Sequence, residues 1–210
     1  MDVADSYSAV ARRYSDQIFD ELQHKPLDRA LLDRFAESMP RPGRICDLGC
    51  GPGQVARYLW QSGLEVLGID ISPGMIEQAR RLNPQLTFQH GDMLHLDLPA
   101  DALTGVVAFY SLIHIARPKV VAALKEIKRV LRPDGLLLFS FHVGSETVHL
   151  DEWWSCPVNL DFEFFGVSEV SEYLRQADFQ LEEVIEREPY APAVEHQSRR
   201  AYVFARRPAR

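Results

Sequence analysis

Residues 45–53 read Ile-Cys-Asp-Leu-Gly-Cys-Gly-Pro-Gly. An apolar strand pattern ends on a carboxylate and runs into a loop with glycines at 49, 51 and 53. A helical pattern starts at Gln54. Glycines at this spacing let the backbone turn tightly and approach a ligand that side chains would exclude. The N–H groups at the start of the helix favour a negative or polar ligand group. The next strand pattern, 65–69, is followed by Asp70. That puts an acid where a doubly wound sheet meets a nucleotide ribose. A bare Gly-x-Gly is more often a structural turn. Asp70 at the tip of the second strand tilts the reading towards a ligand.

Outward from this loop the chain alternates. Strand patterns fall at 45–48, 66–69, 86–90, 105–110 and 136–141, with helical patterns at 54–61, 74–82 and 119–131. Such alternation predicts a parallel sheet covered on both faces, with right-handed crossovers and strand tips gathered on one edge. Upstream, Tyr7, Val10, Ala11, Tyr14, Ile18 and Phe19 recur at helical spacing within 3–22. A second helical pattern at 27–39 is broken by Pro40, Pro42 and Gly43. Residues 142–166, rich in aromatic and polar groups, predict a long covering loop over a substrate. A short helix at 167–176 and two strands at 180–188 and 200–206, an antiparallel pair, follow. A single domain over 1–210 is expected, with 1–40 as a helical cap.

Composition narrows the classes. The 210 residues are 46% hydrophobic and 25% charged, ordinary for a soluble globular chain. A net charge of −7 argues against a general nucleic-acid or acidic-membrane binder. The start, Met-Asp-Val-Ala-Asp, lacks the basic region and apolar run of a secretory signal, and no apolar stretch reaches membrane-spanning length. Three cysteines, at 46, 50 and 156, cannot all pair and have no zinc spacing, so reduced thiols in a cytoplasmic protein are expected.

The loop resembles motif I of the class I S-adenosylmethionine-dependent methyltransferases, which carry acid-x-Gly-x-Gly-x-Gly. Asp47, Gly49, Gly51 and Gly53 match it position by position. The Gly91-Asp92 pair, the segment 106–115 and the run 124–139 with its Arg-Pro-Asp-Gly turn are also similar to family segments, and to its small-molecule branch. The resemblance implies a Rossmann-like, seven-stranded, mainly parallel α/β sheet with a reversed last strand. It implies S-adenosylmethionine as cofactor, leaving as S-adenosylhomocysteine. Backbone at the three glycines would approach the methionyl and ribose parts, and Asp47 would orient the loop or accept from the ammonium. Asp70 has two oxygens for two ribose hydroxyls. Ile71 and Met75 would pack on the adenine, Asp92 would meet its amine with Met93 alongside, and Phe109 would lie near the methionyl group. Asp92 has a turn-capping alternative and Met75 a plain core one.

Methyl transfer is a displacement at an activated carbon, so the protein mainly aligns the acceptor and excludes water. A base helps only where the acceptor loses a proton. The candidates are His142 and His114, each following a strand on the carboxyl edge; a buried core role is the alternative for His114. Tyr7 and Tyr14 are placed to fold over the cofactor, Tyr14 as a cofactor contact. Tyr7, Tyr110, Trp153 and Trp154 are placed to wall the acceptor. Glu195-His196 is in position to reach the pocket from the last loop, though His149 and His196 also suit a surface.

The acceptor expected is a small molecule methylated at oxygen or nitrogen. No nucleic acid, membrane or metal is expected, and the oligomeric state is open. Two other readings stand beside this one. A protein of the same fold can bind S-adenosylmethionine without transferring its methyl group. A nicotinamide oxidoreductase would carry Gly-x-Gly-x-x-Gly, but the sixth position from Gly49 is Gln54.

Overall fold

The computed structural model describes residues 1–209. Strands β1 (Arg44–Leu48), β2 (Glu65–Asp70), β3 (Thr87–His90), β4 (Leu103–Phe109) and β5 (Leu131–His142) run parallel in one sheet. Strands β6 (Thr147–Trp153) and β7 (Cys156–Glu163) form a separate antiparallel hairpin. Strands β8 (Gln180–Arg187) and β9 (Arg200–Arg206) complete the main sheet, whose order is β3-β2-β1-β4-β5-β9-β8. Strand β9 is antiparallel to both neighbours and is the one reversed strand. The alternating pattern predicts the parallel strands, and the Rossmann-like α/β sheet with its reversed last strand is the one the family resemblance implies.

Among the described residues six α-helices accompany the strands: α1 (Val3–Ile18), α2 (Pro26–Glu37), α3 (Gln54–Gln61), α4 (Pro73–Leu82), α5 (Arg117–Val130) and α6 (Val167–Gln176). Two are started by recognisable residues. The Asp2 side chain accepts from Asp5 N–H at 2.9 Å, and Ser72 Oγ accepts from Met75 N–H at 3.1 Å with Pro73 next. Ser72 thus caps α4, leaving Asp70 to face elsewhere.

The inner strands are apolar on both faces because both faces are covered. On one side α5 and α6 bury Leu124, Ile127 and Leu174 with Leu67, Val106 and Leu137. On the other α2, α3 and α4 bury Phe35, Leu59 and Ile76 with Ile45, Val66 and Leu138. The apolar residues of helix α1 join neither core, although its Ser8 packs on the start of α4, with Oγ 2.9 Å from Ser72 Oγ. Val10 of α1 packs with Val158 and Leu160 of β7, so α1 and the hairpin form one roof over the carboxyl edge.

The sequence expectation differs from the structure in three places. Residues 142–166, expected as an irregular covering loop, hold the β6–β7 hairpin. Helix α1 stops at Ile18, and a 3₁₀ turn occupies Glu21–His24. The strand expected at 136–141 is paired from Leu131, because Leu131 bridges Leu103 ahead of a bend at Asp134, whose φ is +62°.

Candidate functional site

A cavity of about 690 Å³ lies along the carboxyl edge of the sheet, under the roof. Its lining comes from the ends of β1, β2, β4 and β5, from α1 and the hairpin, and from the loop before β9.

One half is built by the glycine loop. Gly49 and Gly51 line it; Gly53 does not. At Gly51 φ is +52°, and a Cβ would meet only Tyr14 Cε1 at 3.8 Å and Gln54 Oε1 at 3.9 Å, so the glycine leaves open space on the cavity side. At Gly53 φ is +88° and a Cβ would stand 2.8 Å from Phe88 Cζ, so this glycine serves the packing of the loop on the sheet. Asp47, 2% exposed, accepts from Ala56 N–H at 2.8 Å and thereby ties β1 to α3. Burial raises its carboxyl to about 7, against the opposing Ala56 hydrogen bond. Asp70 holds the loop itself: Oδ2 accepts from Gly51 N–H and Oδ1 from Ser72 N–H, both at 2.8 Å. Burial raises this carboxyl as well, against the two backbone hydrogen bonds. Each oxygen keeps a lone pair for a further donor. Ile71, Met75, Asp92 and Met93 line the same half. Asp92 Oδ1 accepts from Leu94 N–H at 2.9 Å, so it makes its turn while facing the cavity.

The other half is aromatic. Tyr7 Oη lies 2.6 Å from His114 Nε2, and His114 Nδ1 lies 3.0 Å from the Asp161 carbonyl. A carbonyl only accepts, so Nδ1 carries the proton and Nε2 accepts from the tyrosine hydroxyl. Both ring nitrogens are therefore engaged by the protein. Burial lowers His114 to about 4. His142 is held differently. Its Nδ1 pairs with Ser198 Oγ at 2.7 Å and its ring stacks on Phe164 at 4.8 Å, while Nε2 has no hydrogen-bond partner among the described residues. Burial, with the charges of Arg200 and His196, lowers it to about 3. Both imidazoles are thus neutral near pH 7.

Tyr7, Tyr14, Phe109, Tyr110 and Trp153 line the cavity. Trp154 does not; it stacks on Trp153 at 4.8 Å and sits edge-on to Tyr14. Tyr110 has a φ of +53°, a region disfavoured for bulky residues. Its N–H is held by the Ser140 carbonyl at 3.2 Å and Ser140 Oγ at 3.1 Å. Sequence reading missed Lys25, Glu21, Gln54 and Arg200, all cavity-lining. Nothing local signals them: Arg200 follows Arg199 and Glu21 follows Asp20, charge pairs that read as solvated surface until the fold buries them. Glu195 and His196 do reach the cavity from the last loop, and His149 stays at the surface. No group of three or more His, Cys, Asp or Glu among the described residues is placed to hold a metal ion. No helix there is long and apolar enough to cross a membrane.

A doubly wound sheet with a glycine-rich first turn, an acid at the tip of its second strand and a single reversed strand defines a nucleotide-type cofactor fold. Residues 45–135 match the family model described as a methyltransferase domain. The chain is 33% identical over 132 residues to the putative methyltransferase YqeM of Bacillus subtilis, covering 60% of this chain and 53% of that one. It is also 33% identical over 140 residues to the demethylmenaquinone methyltransferase of Beutenbergia cavernae, covering 65% and 56%. The chain spans about half the length of these relatives. The crystal structure of a S-adenosylmethionine-dependent methyltransferase from Methanosarcina mazei shares the fold, with a TM-score of 0.74 at 16% identity, over 83% of this chain and 96% of that one. Residues 45–135 are thus similar to a methyltransferase domain, and the sheet has the fold of a S-adenosylmethionine-dependent methyltransferase.

Proposed function

We propose that this protein transfers a methyl group from S-adenosylmethionine to an oxygen or nitrogen of a small molecule held at the carboxyl edge of the sheet. The observation that carries this reading is the continuity of one cavity from the glycine loop to the aromatic, histidine-lined half. The demethylmenaquinone methyltransferase among the relatives supports a small-molecule acceptor.

Two features fit the cofactor. Gln54 Oε1 is a buried acceptor with no hydrogen-bond partner, suited to an ammonium group. The space left at Gly51 admits a ligand against the backbone. Asp70 would hold the ribose hydroxyls with its spare lone pairs. Ile71, Met75, Asp92 and Met93 would hold the adenine, and Tyr14 and Phe109 the methionyl side. When bound, S-adenosylmethionine supplies a methyl group already activated on sulfur.

The chain's own residues then align the acceptor and keep water out. The roof, α1 with the β6–β7 hairpin, covers the cavity at this edge, whereas α2, expected as part of a 1–40 cap, packs on the sheet instead. Tyr7, Tyr110 and Trp153 wall the acceptor, and Trp154 backs Trp153. Tyr7 is the hydroxyl that faces the acceptor on one side, steadied by His114. His142, with a free Nε2, takes the proton where the acceptor must lose one.

Calorimetric titration tests the cofactor half. Micromolar binding of S-adenosylmethionine and S-adenosylhomocysteine is expected, with no heat from NADH. Asp70→Ala is expected to weaken both by about 1–3 kcal/mol, the cost of lost hydrogen bonds to a charged group. Absence of binding sinks the cofactor assignment. A labelled methyl group that never leaves the cofactor across a panel of small acceptors leaves a binding protein in place of a transferase.

A further inference from the structure

In the cavity, two buried cations have too few acceptors. Arg200, the first residue of β9, is 3% exposed; Lys25, just before α2, is 4% exposed. Both line the cavity and both stand over the Tyr110 ring, Arg200 Cζ at 4.9 Å and Lys25 Nζ at 5.7 Å from its centroid. A guanidinium has five N–H donors and an ammonium three. Arg200 Nη2 donates to the His196 carbonyl at 2.8 Å. Its Nε is buried without a hydrogen-bond partner, although Glu195 Oε1 stands 3.1 Å away as an ion pair. Lys25 donates to Glu21 at 2.5 Å, and its distance to Glu195 Oε2, 3.8 Å, is beyond a hydrogen bond.

The nearby carboxylates are already engaged. Glu195 accepts from Arg187 at 2.5 and 3.0 Å and from Tyr190 N–H at 2.7 Å. Glu21 also accepts from Gln54 Nε2 at 3.2 Å. Asp28 takes the Tyr202 hydroxyl at 2.7 Å and Arg187 at 3.3 Å. Lys25, Arg187 and Arg200 therefore face Glu21, Asp28 and Glu195, charge for charge. What the cluster lacks is hydrogen-bond acceptors on the cavity side. A singly charged, planar acceptor group meets that need; a dianion would overload a cluster already balanced.

We propose that Arg200 and Lys25, over the Tyr110 ring, form an anion subsite that takes a carboxylate of the acceptor molecule. The assignment rests on the methyltransferase reading, in which this half of the cavity holds the acceptor. Arg200 pairs with His142 in the β5–β9 register, which sets the subsite beside the ring with the free nitrogen. Phe162, Phe164 and Trp153 supply the apolar wall. The ligand class is thus a carboxylic acid with an aromatic or apolar body, its carboxylate anchoring it on the guanidinium fork.

The test uses the full chain saturated with S-adenosylhomocysteine. Phenylacetate, cinnamate and indole-3-acetate are titrated by calorimetry against their primary amides. Each acid is expected to bind about tenfold or more tightly than its amide, as a charge-assisted pair demands. Arg200→Gln is expected to erase that difference while S-adenosylhomocysteine affinity holds, and Arg200→Lys to restore part of it. Lys25→Met gives the same readout should Arg200→Gln fail to fold. Equal binding of acids and amides, or binding of neither, overturns the subsite. A parallel loss of S-adenosylhomocysteine affinity in Arg200→Gln also overturns it, by assigning the arginine to the cofactor's own carboxylate. Acids that bind here, with no label passing from S-adenosylmethionine to any acceptor in a separate incubation across the panel, uphold the subsite and sink the transferase reading instead.

Discussion

Asp47 is the acid of the glycine loop, and its burial gives it a measurable signature. A carboxyl raised from 3.8 to about 7 by burial takes up a proton on folding. Its contribution to stability is therefore greatest below the unfolded value and is lost as pH climbs towards about 7. Asp47→Asn removes the titration and keeps an oxygen for Ala56 N–H. The variant should lose less stability than the parent between about pH 4 and 8, by an amount on the order of a few kcal/mol. Denaturant melts at several pH values check this; parallel curves would mean Asp47 is ionised throughout. His142→Ala should cut turnover while S-adenosylhomocysteine affinity stays put, and full activity would remove His142 from the chemistry. At this scale the glycines and acids were readable because backbone geometry restricts which residue types serve there. Arg200 and Lys25 were not, because one charge in a sequence says nothing about the partners that surround it.

Among the elements, the roof is the part that sequence patterns under-described. The hairpin turns at Trp154 and Ser155, whose φ values are +49° and +60°. Turns of this hand usually carry Asn or Gly. Trp-Trp-Ser-Cys gives no such signal, so the strands on either side read as loop. The parallel strands, by contrast, were legible within a few residues, since burial on both faces leaves short apolar runs between helices. Helix α1 and β7 hold one another through Ser6, fully buried, whose Oγ accepts from Asn159 N–H at 3.0 Å and donates to the Asp2 carbonyl at 2.8 Å. Ser6→Ala leaves that amide unpaired, a cost of about 1–3 kcal/mol. Hydrogen exchange should quicken in 3–18 and 147–163 together, with the main sheet unchanged. Faster exchange in α1 alone would show that the two parts of the roof open separately.

Across the whole molecule, one hydroxyl ties distant parts of the chain. Tyr202 on β9 is fully buried; it donates to Asp28 of α2 at 2.7 Å, accepts from Arg187 of β8 at 2.8 Å and lies 3.0 Å from Tyr110 Oη beyond β4. Tyr202→Phe keeps the ring in the core and strands those partners. A loss of about 1–3 kcal/mol in unfolding free energy is expected, and an unchanged melting temperature would show that water replaces the hydroxyl. Tyr202 can do this because β9 lies inside the sheet, between β5 and β8. That placement has a consequence for biosynthesis. Until residues 200–206 clear the ribosome, β5 has an open flank and β8 has no neighbour, so the nascent chain carries a sheet that only its late-made segment can close. Chaperone occupancy on translating ribosomes should accordingly persist through the synthesis of that segment and fall once it emerges.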